Sequence, residues 1–374
     1  MKVLMLSEDP NIFVQGTEAR ERMKRYAGCF KSLHIVAPTT DVSARAETLG
    51  DLSLYPAYSR SAMGARVRLL RICFSLAARE RFDIISAQSP DEIGFVGFLL
   101  VKIYNSRFQI QIHTDICSRL EHRSSWKARI RWWIAGFLIP RADCIRVVSV
   151  RIADSLVKQF KIQRSRVSVL PVFVDVLQIA GASPVFDIHK KYQFDFIILM
   201  VSRLSREKNI GMALRAFRKF LDEFPLSGLV IVGDGPELKN LQLMTNNLQL
   251  TNNVRFEGWQ DDIVSYYKTA DAYLLTSNFE GYGRSVVEAS AAGCPVIMTD
   301  VGIAGDIIRN GESGRVVNPD DTEALIVALR DTRRSKEDNH KMAEVAKLAL
   351  RAGFSGWGEY LKSYKETFIV CRPQ

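Results

Sequence analysis

The sequence lacks an apolar run long enough to cross a bilayer. The opening MKVLML turns polar after six residues, and the most apolar later run, Trp132 to Pro140, falls well short of the roughly 20 residues a spanning helix needs. Neither a signal peptide nor a transmembrane helix is expected. Closely spaced cysteines are also missing. Cys29, Cys73, Cys117, Cys144, Cys294 and Cys371 are far apart, without paired metal-ligand spacing, and several lie in apolar segments, so a reduced, intracellular protein is expected. Only scattered acids offer themselves as metal ligands, so no metal site is expected.

What is present is ordinary globular material. At 374 residues and 47% hydrophobic content, the chain is too long for one typical core, which predicts two domains. The net charge of +10 is uneven: residues 1–190 hold 28 Lys/Arg against 17 Asp/Glu, and residues 191–374 hold 23 against 24. A basic first half suits an anionic partner or simply a solvated face.

Short apolar runs alternate with helical patterns along the first half. Strands are expected at Lys2–Ser7, Leu33–Ala37, Asp83–Ala87, Phe108–His113, Cys144–Val148 and Val167–Leu170, with helices near 64–80, 91–104, 123–138 and 151–160. This rhythm predicts a parallel, doubly wound sheet, in which ligands bind beyond the carboxyl ends of the strands. Gly16, in the loop after the first strand, lets backbone approach a ligand, while Thr17 caps the following helix. His113 closes a strand before Thr114-Asp115, a place for a catalytic or a structural imidazole. From Arg119 to Arg146, basic residues (Arg119, His122, Arg123, Lys127, Arg129, Arg131, Arg141) are interleaved with Trp126, Trp132 and Trp133. The mixture suits a lipid interface, single-stranded nucleic acid or an amphipathic helix with core tryptophans. No nucleic-acid-binding motif accompanies it. Arg60, Arg66, Arg68, Arg71 and Arg79 can extend the same basic surface.

The pattern lapses between Phe173 and Gln193, which puts a domain boundary near residue 187. It resumes with strands at Phe196–Val201, Leu229–Val232, Val254–Glu257, Ala272–Leu275 and Pro295–Thr299, a second Rossmann-like unit. After its first strand, Arg203 and Lys208 combine a guanidinium fork and a point charge, complementary ways to hold a diphosphate. Gly233-Asp234-Gly235-Pro236 reads as a structural turn. Trp259 either stacks on a base or closes the core.

Residues Thr276 to Thr299 read as strand, glycine turn and helix. Gly281 and Gly283 allow close backbone approach, and the first amides of a helix starting near Arg284 and Ser285 attract a phosphate. Glu280 and Glu288 flank this anion-friendly turn as acceptors for hydroxyl groups, a combination suited to a sugar nucleotide.

Together these residues form a resemblance. Arg203 with Lys208, the Gly233–Pro236 turn, the Gly258 turn, Glu280-x7-Glu288 around Gly281-Tyr282-Gly283, and Ala292-Gly293-Cys294-Pro295-Val296-Ile297 resemble the family 4 (group 1) retaining glycosyltransferases of the GT-B fold. The likeness is strongest over 190–320. Phe354-Ser355-Gly356-Trp357 and Tyr360-Leu361-Lys362-Ser363-Tyr364 are similar to the family's last helix.

The resemblance implies two doubly wound Rossmann-like domains facing across a cleft, an acceptor domain over 1–186, a nucleotide-sugar domain over 187–354, and a helix over 355–374 returning to the first domain. It implies a cytoplasmic hexosyltransferase acting on a UDP- or GDP-sugar without a metal, in polysaccharide or envelope synthesis, with a glycan or lipid-linked acceptor. Independently of the resemblance, the basic and aromatic composition of tract 119–146 favours contact with an anionic membrane surface, at the inner face of the plasma membrane, over RNA. Glu288 would bind the ribose hydroxyls. Glu280 with the amides of Gly281, Tyr282 and Gly283 would meet the sugar and phosphates, Arg203 with Lys208 would clamp the diphosphate, and His113 would touch the donor sugar. Three features depart from the family: Gln15 precedes Gly16 where a glycine pair is common, Arg284 replaces an apolar residue before Ser285, and Asp306 stands where glutamate is usual. A nucleotide-sugar epimerase or phosphorylase shares the fold, but Glu280-x7-Glu288 with Arg203 and Lys208 favours transfer. The reading from another class is a noncatalytic carbohydrate- or nucleic-acid-binding protein.

Overall fold

The computed structural model describes residues 1–118, 126–351, 353 and 356–371. Arg119, His122, Arg123, Phe354 and Ser355 lie outside the described residues. The chain divides into two units, Met1–Pro171 with Trp357–Gln374, and Val172–Gly356.

The first unit contains strands β1 (Lys2–Leu6), β2 (Ser32–Thr39), β3 (Glu47–Leu49), β4 (Leu52–Tyr58), β5 (Ile84–Ala87), β6 (Arg107–Ile112), β7 (Cys144–Val147) and β8 (Val167–Val169). Its helices are α1 (Glu18–Ala27), α2 (Ala62–Arg79), α3 (Glu92–Tyr104), α4 (Trp126–Leu138) and α5 (Val150–Phe160). The second has α6 (Val176–Gly181), α7 (Ile188–Lys191), β9 (Phe196–Val201), α8 (Ile210–Leu221), β10 (Ser227–Val232), α9 (Leu238–Asn247), β11 (Val254–Gly258), α10 (Ile263–Thr269), β12 (Ala272–Leu275), α11 (Arg284–Ala291), β13 (Val296–Thr299), β14 (Arg315–Val317), α12 (Thr322–Arg334) and α13 (Lys336–Arg351). The last helix, α14 (Trp357–Ile369), belongs to the first unit.

The first sheet runs β3-β4-β2-β1-β5-β6-β7-β8 and is parallel except at the β3–β4 hairpin. Central strands covered on both faces read as continuous apolar runs: Val3, Leu4, Met5 and Leu6 of β1 are fully buried. The β3–β4 hairpin is absent from the sequence reading. Its connection turns at Gly50 (φ +61°), and β4 contains Pro56, so the polar ETLGD stretch and a proline resemble a loop. Tertiary contacts overrule this, for β4 pairs with β2 over seven positions, Leu33 through Thr39. Arg20 grips Glu47 of β3 with both terminal nitrogens, at 2.6 and 2.8 Å.

Helix α14 packs through aromatic faces. Tyr364 stacks on Tyr26 with centroids 4.0 Å apart, Phe368 meets Phe30 edge-on at 4.8 Å, and Arg25 lies 4.4 Å over Trp357. Arg146, placed by sequence in the basic tract, is buried at the end of that tract's span, and donates to Gln111 Oε1 (2.8 Å), the Tyr360 hydroxyl (3.0 Å) and the Leu170 carbonyl (3.3 Å). It is a core hub rather than a surface charge. Cys144 and Cys371 form a disulfide, with Cα atoms 5.0 Å apart. This corrects the expectation of unpaired cysteines: 227 positions of sequence separation conceal a contact that arises only when α14 packs beside β7.

The second sheet runs β11-β10-β9-β12-β13-β14, all parallel. Alternate residues of β9 feed its two faces: Ile197, Leu199 and Val201 join one core cluster, Phe196, Ile198 and Met200 the other. The changeover between units falls at 171/172 instead of near 187. Val176 and Ile188 are buried in the second unit's core, Val185 N–H donates to Ser265 Oγ (2.7 Å), and Lys268 Nζ donates to the Ala180 carbonyl (2.7 Å). A stretch that reads as a connection is thus already packed domain.

Candidate functional site

In each sheet, consecutive strands are laid down on opposite sides of the first one, so a crevice opens beyond the carboxyl ends where the order reverses. In the second sheet that switch point lies between β9 and β12. The loop after β9 carries Arg203 and Lys208, and the loop after β12 carries Glu280.

Hydrogen bonds stitch these two loops together. Thr276 Oγ1 donates to the carbonyls of Lys208 (2.9 Å) and Asn209 (3.1 Å), and Asn278 N–H donates to the Glu207 carbonyl (2.8 Å). Asn209, in the left-handed region at φ +46°, sends its amide to Asn278 Oδ1 (3.0 Å) and Asp320 Oδ1 (2.7 Å). Held in this way, Lys208 Nζ meets Glu280 Oε1 at 2.5 Å, and Ser277 Oγ donates to the same oxygen at 2.8 Å. The pair is largely shielded, with side-chain exposures of 20% and 13%. Arg203 is exposed, and no carboxylate pairs with it among the described residues.

The Gly233–Pro236 turn has the structural role expected. Gly233 adopts φ +128°, where a Cβ would lie 2.0 Å from the Ser202 carbonyl oxygen. Leu204 N–H donates to Asp234 O (2.9 Å) and Glu237 N–H to Leu204 O (2.9 Å). The turn thereby holds the loop that presents Arg203.

Gly283 begins α11 at φ +93° without a capping side chain, so the helix terminus keeps its attraction for anions. Gly281 and Tyr282 precede it, and the Tyr282 carbonyl accepts from Ile303 N–H at 3.1 Å. One turn inside, Glu288 accepts from Arg284 Nε at Oε1 (2.7 Å) and from the Tyr267 hydroxyl at Oε2 (3.1 Å). The Tyr273 hydroxyl lies 2.6 Å from Ser285 Oγ. Arg284 therefore directs its Nε to Glu288. Trp259 is 77% exposed, which removes the core reading and leaves its ring accessible. Asp306 is likewise exposed.

In the first unit the reversal lies between β1 and β5. Gly16 follows β1 at φ +78°, with open space where a side chain would stand. Thr17 caps α1 as expected, accepting from Arg20 N–H at 3.3 Å. His113 sits immediately after β6 with part of its surface open to solvent, and partial loss of hydration, with the charges of Arg146 and Arg22, lowers its pKa. The ring is neutral at physiological pH. Sequence reasoning missed Glu8, in the loop after β1. Glu8 keeps part of its surface exposed, and partial loss of hydration, then Asp91, raise its carboxyl from 4.5 to about 7, with Arg131 opposing. Only its place at a strand end signalled it. The same rule points to Thr276 and Ser277, whereas nothing in the sequence marks Tyr267 as Glu288's partner.

The chain is similar to known proteins. The model for glycosyl transferases group 1 matches residues 184–349, and that for glycosyltransferase family 4 matches 31–177. The UDP-Gal:alpha-D-GlcNAc-diphosphoundecaprenol alpha-1,3-galactosyltransferase of Escherichia coli is 24% identical over 265 residues, 68% of this chain and 67% of that protein. The N-acetyl-alpha-D-glucosaminyl L-malate synthase of Bacillus anthracis is 24% identical over 73% of this chain and 71% of its own. Among solved structures, Anabaena HepE in complex with UDP superposes with a TM-score of 0.77 at 21% identity, covering 99% of this chain and 100% of that one. Sucrose-phosphate synthase from Thermosynechococcus elongatus gives 0.82 at 18%, covering 98% of each. These likenesses fix the fold as GT-B.

Proposed function

Given that the chain belongs to the family 4, group 1 glycosyltransferases, we propose that it transfers a hexose, with retention of anomeric configuration, from a UDP- or GDP-sugar to a glycan or lipid-linked acceptor in polysaccharide or envelope synthesis. The observation that carries this reading is the Lys208–Glu280 pair at the switch point of the second sheet, one helix start away from Glu288.

A nucleoside diphosphate brings two needs to such a site: charge neutralisation at the phosphates and hydroxyl acceptors at the sugars. Lys208 and exposed Arg203 supply the first, together with the N-terminus of α11 at Gly281, Tyr282 and Gly283. Glu288, held by Tyr267 and Arg284, presents a fixed carboxylate to the ribose hydroxyls. Glu280 orients the Lys208 ammonium and faces the transferred sugar. Cleavage of the sugar–phosphate bond places charge on the departing diphosphate, and cationic groups already in place stabilise that charge without reorganising. We assign the transferred sugar as His113's partner, the donor phosphates as Gly16's, Ser285 to the donor site beside them, and the base as the open face of Trp259. Transfer proceeds on these cationic groups without a divalent metal.

The acceptor classes are suggested by relatives such as the diphosphoundecaprenol galactosyltransferase. A peripheral location on the inner face of the plasma membrane is supported by α4. Trp126, Ile130, Trp133 and Phe137 recur on one helical stripe, with Trp126 68% and Trp133 72% exposed, and Lys127 and Arg141 lie over its rings. Trp132 packs toward Phe160. No described helix is long and apolar enough to cross a membrane.

A thermal-shift screen of UDP, GDP, ADP and their sugars, followed by product stereochemistry, tests the proposal. Stabilisation by a nucleotide sugar and release of its nucleotide to an acceptor with retained configuration is expected. An inverted product, or free epimerised sugar, would overturn it.

A further inference from the structure

We propose that the groove between β4 and α2 binds an acidic oligosaccharide, a glycan whose repeat units carry carboxylate or phosphate groups. The open groove has a volume of about 760 Å³ and is lined from the strand side by Tyr55, Tyr58 and Ser59, and from the helix by Arg68, Arg71 and Arg79 set among apolar side chains that include the exposed Met63 and Val67.

The three arginines follow at i, i+3 and i+11, which puts them on one stripe of α2 with Ser75 between. Their Cα atoms span roughly 16 Å at the rise of an α-helix, longer than a single sugar. No acid lines the groove, and among the described residues no carboxylate pairs with Arg68, Arg71 or Arg79. Arg66 on the same helix shows the contrast, lying 3.6 Å from Glu92. Like charges three positions apart repel, so an extended anion along the stripe relieves a cost already built into the free protein.

The tyrosines add what charge alone does not. Tyr55 is fixed by stacking on His34 with centroids 5.9 Å apart and by a 3.2 Å contact between its hydroxyl and His34 Nδ1. Tyr58 ends β4 and lines the same groove. Flat rings with polar tips suit sugar rings, which offer a C–H face and hydroxyl edges. The recess is concave and sets only two exposed apolar side chains, Met63 and Val67, beside its three arginines, whereas the continuous aromatic stripe that suits a flat lipid surface is on α4. A glycan is therefore the occupant the geometry favours over a bilayer. Calling this glycan the acceptor rests on the proposed transfer reaction; its binding does not.

Binding is measured calorimetrically on the full chain without donor, using a galacturonate hexamer, a maltohexaose carrying phosphate on its sugars, maltohexaose, inorganic polyphosphate and phosphatidylglycerol vesicles. At least one acidic hexamer should bind, with maltohexaose at least tenfold weaker, and the two acidic hexamers tell carboxylate from phosphate recognition. The Arg68→Ser/Arg71→Ser/Arg79→Ser variant should lose at least tenfold, and Tyr58→Ala should weaken sugar polymers but not inorganic polyphosphate. Because the arginines are exposed, the triple variant should keep the wild-type melting temperature; should it not, Arg71→Glu alone is used. Acidic hexamers that do not bind, or bind the variants as tightly as wild type, overturn the proposal. So does binding that responds to the arginines for every polyanion but never to Tyr58, or a loss confined to vesicles. An acidic hexamer bound in the groove by a protein that transfers no sugar would overturn the proposed function and leave the groove standing.

Discussion

Lys208 and Glu280 lie 72 positions apart in sequence, yet their charged atoms meet at 2.5 Å where β9 and β12 part. The pairing gives each a role the other makes possible. Glu280 holds the ammonium in place before donor arrives, and a diphosphate then competes for an already oriented cation. Lys208→Ala should lower kcat/KM by about 2–4 kcal/mol, the range for a positioned electrostatic group. Glu280→Gln should lower it less, since Ser277 still holds the amide. Wild-type rates in Lys208→Ala would remove the leaving-group assignment.

Glu288 has both oxygens engaged, by Arg284 and Tyr267. A carboxylate fixed in this way loses little entropy when it accepts from ribose hydroxyls. Glu288→Ala should weaken nucleotide-sugar binding by tenfold or more, and Tyr267→Phe, which only frees the carboxylate, by a few-fold. Unchanged UDP- and GDP-sugar affinity in Glu288→Ala, measured by calorimetry, would refute the ribose role.

Much of this was legible in the sequence because it is local. Each central strand is a short buried run, and strand-end residues fall beside the crevice whatever the details of packing, so Lys208, Glu280 and Glu288 could be placed together. What escaped depends on distant partners. Pro56 hides β4 until β2 supplies its hydrogen bonds, and Arg146 looks like its basic neighbours until α14 covers it. Cys144 and Cys371 show no spacing at all until the same helix returns. The Tyr267–Glu288 bond is of this kind too, set by how α10 packs on α11.

Glu8 gives the fold a pH dependence. Its carboxyl is raised from 4.5 to about 7, chiefly by loss of hydration and then by Asp91, so the folded state binds a proton that the unfolded chain releases earlier. That contribution is fully present below pH 4.5 and is lost as pH rises through about 7. Glu8→Gln should therefore melt near wild type at pH 4.5 and above it at pH 8. A difference between the two melting curves that does not grow with pH would contradict the assignment.

Arg146 and Arg141 test what burial does to one residue type. Arg146 is 3% exposed and bonded to Gln111, Tyr360 and the Leu170 carbonyl, so its removal leaves buried acceptors without a donor. Arg146→Ala should cost about 3 kcal/mol in denaturant unfolding, and Arg141→Ala about 0.5 kcal/mol or less. Equal effects would mean that Arg146 is not what ties α14 to the sheet.

The exposed stripe of α4 is where lipid contact can be separated from charge. Trp126 and Trp133 hold large apolar area in water, and Lys127 and Arg141 cover only part of Trp126 and Phe137. On an anionic bilayer the rings sit at the headgroup level while basic heads meet lipid phosphates, so both terms should act together. The wild-type chain should float with phosphatidylglycerol vesicles at moderate salt. Trp126→Ser/Trp133→Ser should abolish flotation while leaving nucleotide binding intact, and high salt should weaken it without abolishing it. Flotation that disappears with salt but ignores both tryptophans would mean that the basic surface binds anions in general, and that α4 is no membrane face.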